Sequence, residues 1–537
     1  MRSRTTRDWL LPLLVGVALC LASFEVRRLY RVTLGDGLDG AYYFQVARQV
    51  SLGRGLNTTY SVFHMGLAPL PQRATTYPLL PLLIGNLGRV VPLEAAAVWL
   101  PGVAYMLSVG LAFGFLLWVT ARSLPHSHRL ERFALATLFS IWIALIPDYV
   151  WTSARPYTET LGTVLVLATL WCFGACSGAR FSRSGYRAVA WFGVGLLCGL
   201  CYLARFQLVV VGIALVLCRA IARDRRGLRD ALWIALGFAP CFGWQAWRQL
   251  SLPHGELYAL FDFAAYRQMP SLPRFDYQMP FDTRSAWLVD KLKGVWLSLD
   301  PSDPNSYLVQ MSYLVWLVPL GLVLLVARLG LRCRTQGLRA LRSAGLRRPR
   351  HAALLASAWV GLLAVAPIHT VHSLRWRDWA FPWRQGLPLL FLILPIAIWL
   401  WSLGKWLPRV LVASALAISV VVCGQKTVEL LQARVSPRMF QGYAEVGAYL
   451  DRVAPSHGTL GMEHQSLAVF TQEPLYWLAC WSPPELASGL VRQLPIERIV
   501  LRPGEFHCPS LDQIRGRLHP EQTFTAHYPM TIYRIAR

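Results

Sequence analysis

Apolar runs of bilayer-spanning length recur along the chain, separated by short polar stretches. A helix that crosses a bilayer needs about 20 apolar residues, fewer where its flanks anchor it. About eleven runs qualify: residues 9–25, 97–119, 133–147, 158–175, 188–203, 206–221, 231–247, 311–328, 352–368, 386–403 and 408–424. The pattern predicts a mainly α, polytopic membrane protein. The first run follows Arg2, Arg4 and Arg7 and has the layout of a secretory leader. No small-x-small cleavage site closes it before Glu25, Arg27 and Arg28, so it reads as an uncleaved first span.

Orientation follows from the arginines. With the N-terminus in the cytoplasm, the loops that should also be cytoplasmic hold Arg122, Arg129 and Arg132; Arg180, Arg183 and Arg187; Arg223, Arg225, Arg226 and Arg229; the stretch Arg332 to Arg350; and Lys405 with Arg409. Every one of these loops is basic, so a single orientation satisfies the positive-inside rule throughout.

The segments on the opposite side differ in character. They are a long first loop at 26–96 rich in Tyr, Pro and Gly, a short loop at 148–157, a loop at 248–310 with acids among aromatics, a loop at 369–385, and a polar tail. Long loops in a compact protein usually carry function. The expected division is a transmembrane domain over 1–424 and a C-terminal extracytoplasmic α/β domain over 425–537. In the tail, Tyr443, Val446 and Leu450 share one face of a helix starting near Pro437. Short apolar runs follow at Thr459–Met462, Leu467–Phe470, Ile499–Leu501 and Met530–Ile535, with a helix between Pro484 and Leu494.

Composition agrees with a membrane protein. The 537 residues are 55% hydrophobic and only 15% charged, with a mean hydropathy of +0.40; soluble chains carry about a quarter charged residues. A net charge of +25 would suggest nucleic acid in a soluble chain. Here the charge lies in loops between spans, which removes that reading and leaves membrane lipids as its partner. Most of the eleven cysteines sit inside apolar runs, and the CxxC pair Cys198 and Cys201 has no second ligand pair. Cys480 and Cys508 share the polar tail and are free to pair in an oxidising compartment.

The densest candidate chemistry is Gly35-Asp36-Gly37-Leu38-Asp39-Gly40-Ala41-Tyr42-Tyr43-Phe44-Gln45-Val46-Ala47-Arg48, immediately after the first span. Acids at a membrane rim are costly and tend to be functional. On a helix over 40–52, Asp39, Tyr43 and Ala47 fall on one stripe with Arg48 beside it. Asp39 would also serve as a helix cap, so the residues alone leave cap and catalyst open.

The spacing Asp39, Tyr43, Ala47, Arg48 after a first span resembles the first-loop signature of the GT-C superfamily of membrane glycosyltransferases, in its protein-mannosyltransferase-like and aminoarabinose-transferase-like branches (glycosyltransferase family 39-like). Thr75-Thr76-Tyr77-Pro78-Leu79-Leu80-Pro81 is similar to their Pro-rich entry into the second span, Tyr157-Thr158-Glu159-Thr160-Leu161 to their acid at the start of the fourth, and Tyr202-Leu203-Ala204-Arg205-Phe206 to an arginine between two mid-chain spans. The chain departs from many relatives in having Gly40 where they place Glu, and it has an extra acid at Asp36.

The resemblance implies transfer of a sugar from a polyprenyl-phosphate-linked donor to a lipid, glycan or protein acceptor on the outer face of the membrane. Phosphate is a good leaving group, so no general acid is needed. A carboxylate that deprotonates the acceptor hydroxyl contributes ~10²–10⁴-fold, and cations or a metal stabilise the leaving phosphate. Asp39 is the expected base, with Asp36 as its rival. Asp148 and Glu159 are the assisting acids, acting in some relatives through a divalent metal ion. Expected substrate contacts are Tyr43, Arg48, Arg155, Arg205 and the cluster His369, His372, Arg375, Arg377 and Arg384. Two other classes compete: an O-antigen ligase or polymerase working through the 369–384 cluster, and a transporter or flippase of amphipathic substrates.

Overall fold

In the computed structural model the described residues are 7–30, 38–61, 70–74, 77–125, 127–179, 184–221, 225–251, 314, 317–336, 353–361, 363, 382–432, 437–453, 458–462, 464–480, 482, 484–525 and 528–536. Within the described residues the apolar runs are helical. They are α1 (Arg7–Leu29), α4 (Leu93–Ser123), α5 (Arg129–Ala144), α7 (Glu159–Gly178), α8 (Ser184–Ala204), α9 (Val209–Ala220), α10 (Arg225–Leu250), α11 (Leu317–Gln336), α12 (Pro382–Ser402) and α13 (Trp406–Gln432). Among the described residues five helices are long and apolar enough to cross a membrane, or six if α5 and the bent helix after it count as one span. Outward-facing leucines and valines, such as Leu13 at 64% and Val326 at 67% exposure, fit a lipid-facing surface rather than a wet one. This is an integral membrane protein.

Two features shape the bundle. Arg187, near the start of α8, bonds both oxygens of the buried Asp230 at 2.7 and 2.6 Å, and Arg219 adds a bond at 2.5 Å. This ties the same end of α8, α9 and α10 together. Along α8 and α10, Gly195 and Gly237 lie where any side chain would strike the backbone of the facing helix, the close approach that small residues permit in membranes.

The loop expected at 148–157 is itself structured. Pro147 ends the preceding run and opens α6 (Pro147–Ser153), occupying a first-turn position where its missing N–H costs nothing. The axis bends by 62° there, and Tyr149, Val150, Thr152 and Ser153 are buried.

Between α1 and α4 the chain forms α2 (Leu38–Ser51), the short strands β1 (Asn57–Thr58), β2 (Tyr60–Ser61) and β3 (Gln72–Arg73), and α3 (Leu79–Leu87). The C-terminal residues form α14 (Pro437–Val453), β4 (Thr459–Met462), α15 (Leu467–Phe470), β5 (Leu475–Leu478), α16 (Pro484–Gln493), β6 (Arg498–Leu501), β7 (Leu518–Phe524) and β8 (Met530–Ile535). The sheet order is β2-β5-β4-β6-β8-β7, with the first four strands parallel and β8 antiparallel to both of its neighbours, β6 and β7. Strands β4, β5 and β6 are buried at every residue, as central parallel strands are. Strand β2 comes from the loop after α1, more than 400 residues earlier than its partner. One hydrophobic core accordingly joins Tyr42, Tyr60, Tyr77 and Ile84 of that loop to Val446, Leu460 and Ile499.

Candidate functional site

Asp39 stands in the first turn of α2 and is half-buried. The helix comes close to the turn between α6 and α7, because a Cβ on Gly40 would lie 3.2 Å from the Tyr157 ring. A side chain at position 40 would press on that ring, a crowding that glycine avoids. Behind Asp39 is an aromatic seam. Tyr43 packs edge-on to Tyr157 (6.5 Å between centroids) and lies 6.3 Å from Tyr77, which meets Phe206 edge-on at 4.9 Å. The Tyr77 hydroxyl donates to Gln207 Oε1 at 2.9 Å. Tyr60, fully buried on β2, packs 6.4 Å from Tyr42. Burial and, after it, the nearby Asp39 carboxylate push the Tyr60 phenol well above its ordinary value, so the phenol stays neutral.

The seam ends on a charge pair. Arg205, in the break between α8 and α9, contacts the fully buried Glu159 carboxylate at 2.6 Å and Thr158 Oγ1 at 3.4 Å, with its guanidinium 5.8 Å from the Tyr77 ring. Glu159 thus sets the position of Arg205. Arg155 is 1% exposed, 4.1 Å over the Trp151 ring, and donates to Trp151 O at 3.1 Å and to the Tyr30 hydroxyl at 3.2 Å. It holds α6 against the end of α1. Asp148 is half-buried in the first turn of α6.

Of the residues singled out in the sequence, Tyr43, Glu159 and Arg205 therefore lie along one seam, Asp39 stands one turn before Tyr43 on α2, and Arg155 braces the elements beside it. Arg48 is turned elsewhere: its guanidinium donates to Thr471 O at 2.8 Å and to Val469 O. Asp36, His369, His372, Arg375 and Arg377 lie outside the described residues, and Arg384 is placed on α12 by its backbone alone. Among the described residues no group of three His, Cys, Asp or Glu side chains is arranged to hold a metal ion.

Sequence reasoning missed the C-terminal end of α10. There Gln245, Arg248 and Gln249 are all buried, and Arg248 donates to Gln245 Oε1 at 3.0 Å and to Ala74 O at 2.6 Å. The only available signal was the polar run Gln245-Ala246-Trp247-Arg248-Gln249 closing an apolar stretch, which reads as an ordinary interfacial flank.

No protein-family model and no curated protein sequence matches the chain. Solved structures do. The oligosaccharyltransferase of Archaeoglobus fulgidus in its apo form aligns over 93% of this chain and 71% of its own, at 12% identity and a TM-score of 0.55. ArnT from Cupriavidus metallidurans aligns in its apo state over 99% of this chain and 98% of its own, at 13% identity and a TM-score of 0.51. The same ArnT bound to undecaprenyl phosphate gives a TM-score of 0.50 with the same coverage and identity. Both are GT-C glycosyltransferases, and the chain has the GT-C fold.

Proposed function

We propose that this protein is a glycosyltransferase that moves a sugar from a polyprenyl-phosphate-linked donor to a lipid, glycan or protein acceptor at the outer face of a bacterial plasma membrane. The observation that carries the reading is the position of Asp39. Within a GT-C fold it opens a helix that packs directly on the turn before Glu159, beside a seam that leads to the Glu159–Arg205 pair.

Asp39 acts as general base on the acceptor hydroxyl, worth ~10²–10⁴-fold; Asp36 and Asp148 are the further acids of the site. Arg205 supplies positive charge for the leaving phosphate, aligned in advance by Glu159, so that little reorganisation accompanies the reaction. Glu159 is buried against that arginine and serves by orienting it. Tyr43 lines the approach, and Arg155, His369, His372, Arg375, Arg377 and Arg384 complete the expected donor contacts. Any divalent ion would have to draw on Asp39, Asp36 or Asp148.

The N-terminus is cytoplasmic in this reading, and the C-terminal unit extracytoplasmic. The Cys480–Cys508 disulfide supports that side, because disulfides persist in oxidising compartments. The test is the glycolipid and glycan profile of a deletion strain. The wild-type chain should restore one missing sugar modification, and Asp39→Asn should not, at equal abundance in the membrane. If Asp39→Asn restores it and His372→Ala with Arg375→Ala does not, the ligase reading replaces this one.

A further inference from the structure

α2 presents Asp39 at its start and is gripped at its other end. Gln45 and Arg48 lie one turn apart on α2, and both donate to the carbonyls that close α15. Gln45 Nε2 bonds Ala468 O and, at 3.0 Å, Thr471 O. Arg48 Nη1 bonds Thr471 O at 2.8 Å, and its Nη2 bonds Val469 O. A helix leaves its last carbonyls without intrahelical partners, and their partial negative charge suits a guanidinium. Gln45 is 1% exposed, and Thr59 Oγ1 donates to its Oε1 at 3.1 Å, which fixes the orientation of the amide.

The receiving turn is braced in its own right. Thr471 Oγ1 donates to Asp451 Oδ1 on α14 at 2.6 Å, and Gln472 N donates to the same oxygen at 2.9 Å. Leu475 N donates to Thr59 O at 2.8 Å, where β2 joins β5. The guanidinium of Arg48 also lies 5.0 Å from the Phe44 ring. Two loop side chains therefore bind three main-chain carbonyls of the C-terminal unit, and the turn bearing those carbonyls is tied both to α14 and back to the loop.

We propose that Gln45 and Arg48 are positioning residues: they lock α2 to the C-terminal unit and so set where Asp39 stands during sugar transfer. The C-terminal unit is then part of the catalytic scaffold without touching donor or acceptor. This rests on Asp39 as the base. Asp39 is six residues from Gln45, roughly 9 Å along the helix axis, so a tilt of a few degrees at the grip displaces it by a sizeable fraction of an ångström. Misplacing a reacting group by about 1 Å costs on the order of 10²-fold.

The test uses the full chain in liposomes, given graded amounts of the polyprenyl-phosphate-sugar fraction extracted from native membranes. Gln45→Ala and Arg48→Ala should each lower kcat by about 10–100-fold and leave the apparent KM for donor unchanged. Arg48→Lys should recover part of the loss, because an ammonium reaches one of the two carbonyls. Amide hydrogen exchange should quicken along α2 and stay unchanged in β4 and β6. Wild-type kcat in both alanine variants overturns the positioning role, as does a raised donor KM at unchanged kcat. Equal loss of protection in α2 and in the sheet also overturns it, since that marks general unfolding. Asp39→Asn, measured alongside, separates the two claims. Full activity there removes the base and the proposal together, whereas an inactive Asp39→Asn with fully active Gln45→Ala and Arg48→Ala removes the proposal alone.

Discussion

From the sequence, Asp39 is the expected base, Glu159 an assisting acid and Arg48 a substrate contact, and the three side chains lie in very different surroundings. Asp39 remains half-buried at the start of α2. Glu159 is fully buried against Arg205, and Arg48 binds carbonyls of the distant α15. Spacing along a helix places a side chain on a face, but the partner on that face comes from another part of the chain. For Arg48 the partner is more than 400 residues away, which no local pattern reports. Tyr60 makes the same point. Among the described residues its buried hydroxyl has no hydrogen-bond partner, and an unsatisfied buried hydroxyl costs about 1–3 kcal/mol. Tyr60→Phe keeps the ring packed against Tyr42 and removes that cost. We expect it to raise the thermal stability of the purified protein by about 1 kcal/mol, and a lower melting temperature would show that the hydroxyl is satisfied in solution.

At the scale of elements, hydrophobic periodicity was the reliable signal. The runs at Thr459–Met462 and Met530–Ile535 are strands over those same residues, and α14 buries Tyr443, Val446 and Leu450 as its spacing implies. The run Leu467–Phe470 is a single turn of helix and not a strand; four apolar residues do not distinguish the two. β2 was illegible because two residues in a polar loop carry no pattern, and its strand identity comes from β5. The pairing of Cys480 with Cys508 was open from sequence, and the fold closes it by bringing the residues that follow β5 beside the turns that follow β6, with the two Cα atoms 4.9 Å apart. By loop length, a bridge over 28 residues is worth about 3–4 kcal/mol. Cys480→Ser should lower unfolding stability by that amount, and an unchanged unfolding curve would mean the bridge does not form.

The same unit holds a buried polar cluster. His464 Nδ1 lies 3.0 Å from the Tyr443 hydroxyl, and its Nε2 is 3.0 Å from Glu505 Oε2. Arg502 N donates to Glu505 Oε2 at 2.7 Å, and the Arg502 side chain bonds Tyr528 at 2.7 Å. Burial alone would raise the Glu505 carboxyl, but His464 and Arg502 outweigh it and hold the group below the ordinary carboxylate range. A carboxyl depressed in the folded state contributes stability that is complete above its unfolded value, about 4.3, and lost as pH falls through the folded value. Melting temperature should therefore drop with acid below about pH 4. Glu505→Gln should flatten that drop and cost about 3 kcal/mol at neutral pH. An identical acid profile in the variant would remove Glu505 from the account.

For the whole molecule, the arginines were the most informative feature of the sequence, because a bilayer sorts charge by side. The Arg187–Asp230–Arg219 knot lies at one end of α8, and Arg205, beside Tyr77 and Glu159, lies at the other. The loop after α1 and the C-terminal unit share a sheet and a core, so the helix that bears Asp39 is held by both extremes of the chain. The central claim is that this assembly exists to present Asp39 to an acceptor. It is tested most directly by sugar transfer in vesicles carrying equal amounts of wild-type or Asp39→Asn protein and supplied with polyprenyl-linked sugar. The account predicts a loss of at least ~10²-fold with insertion and abundance intact; transfer at the wild-type rate would contradict it.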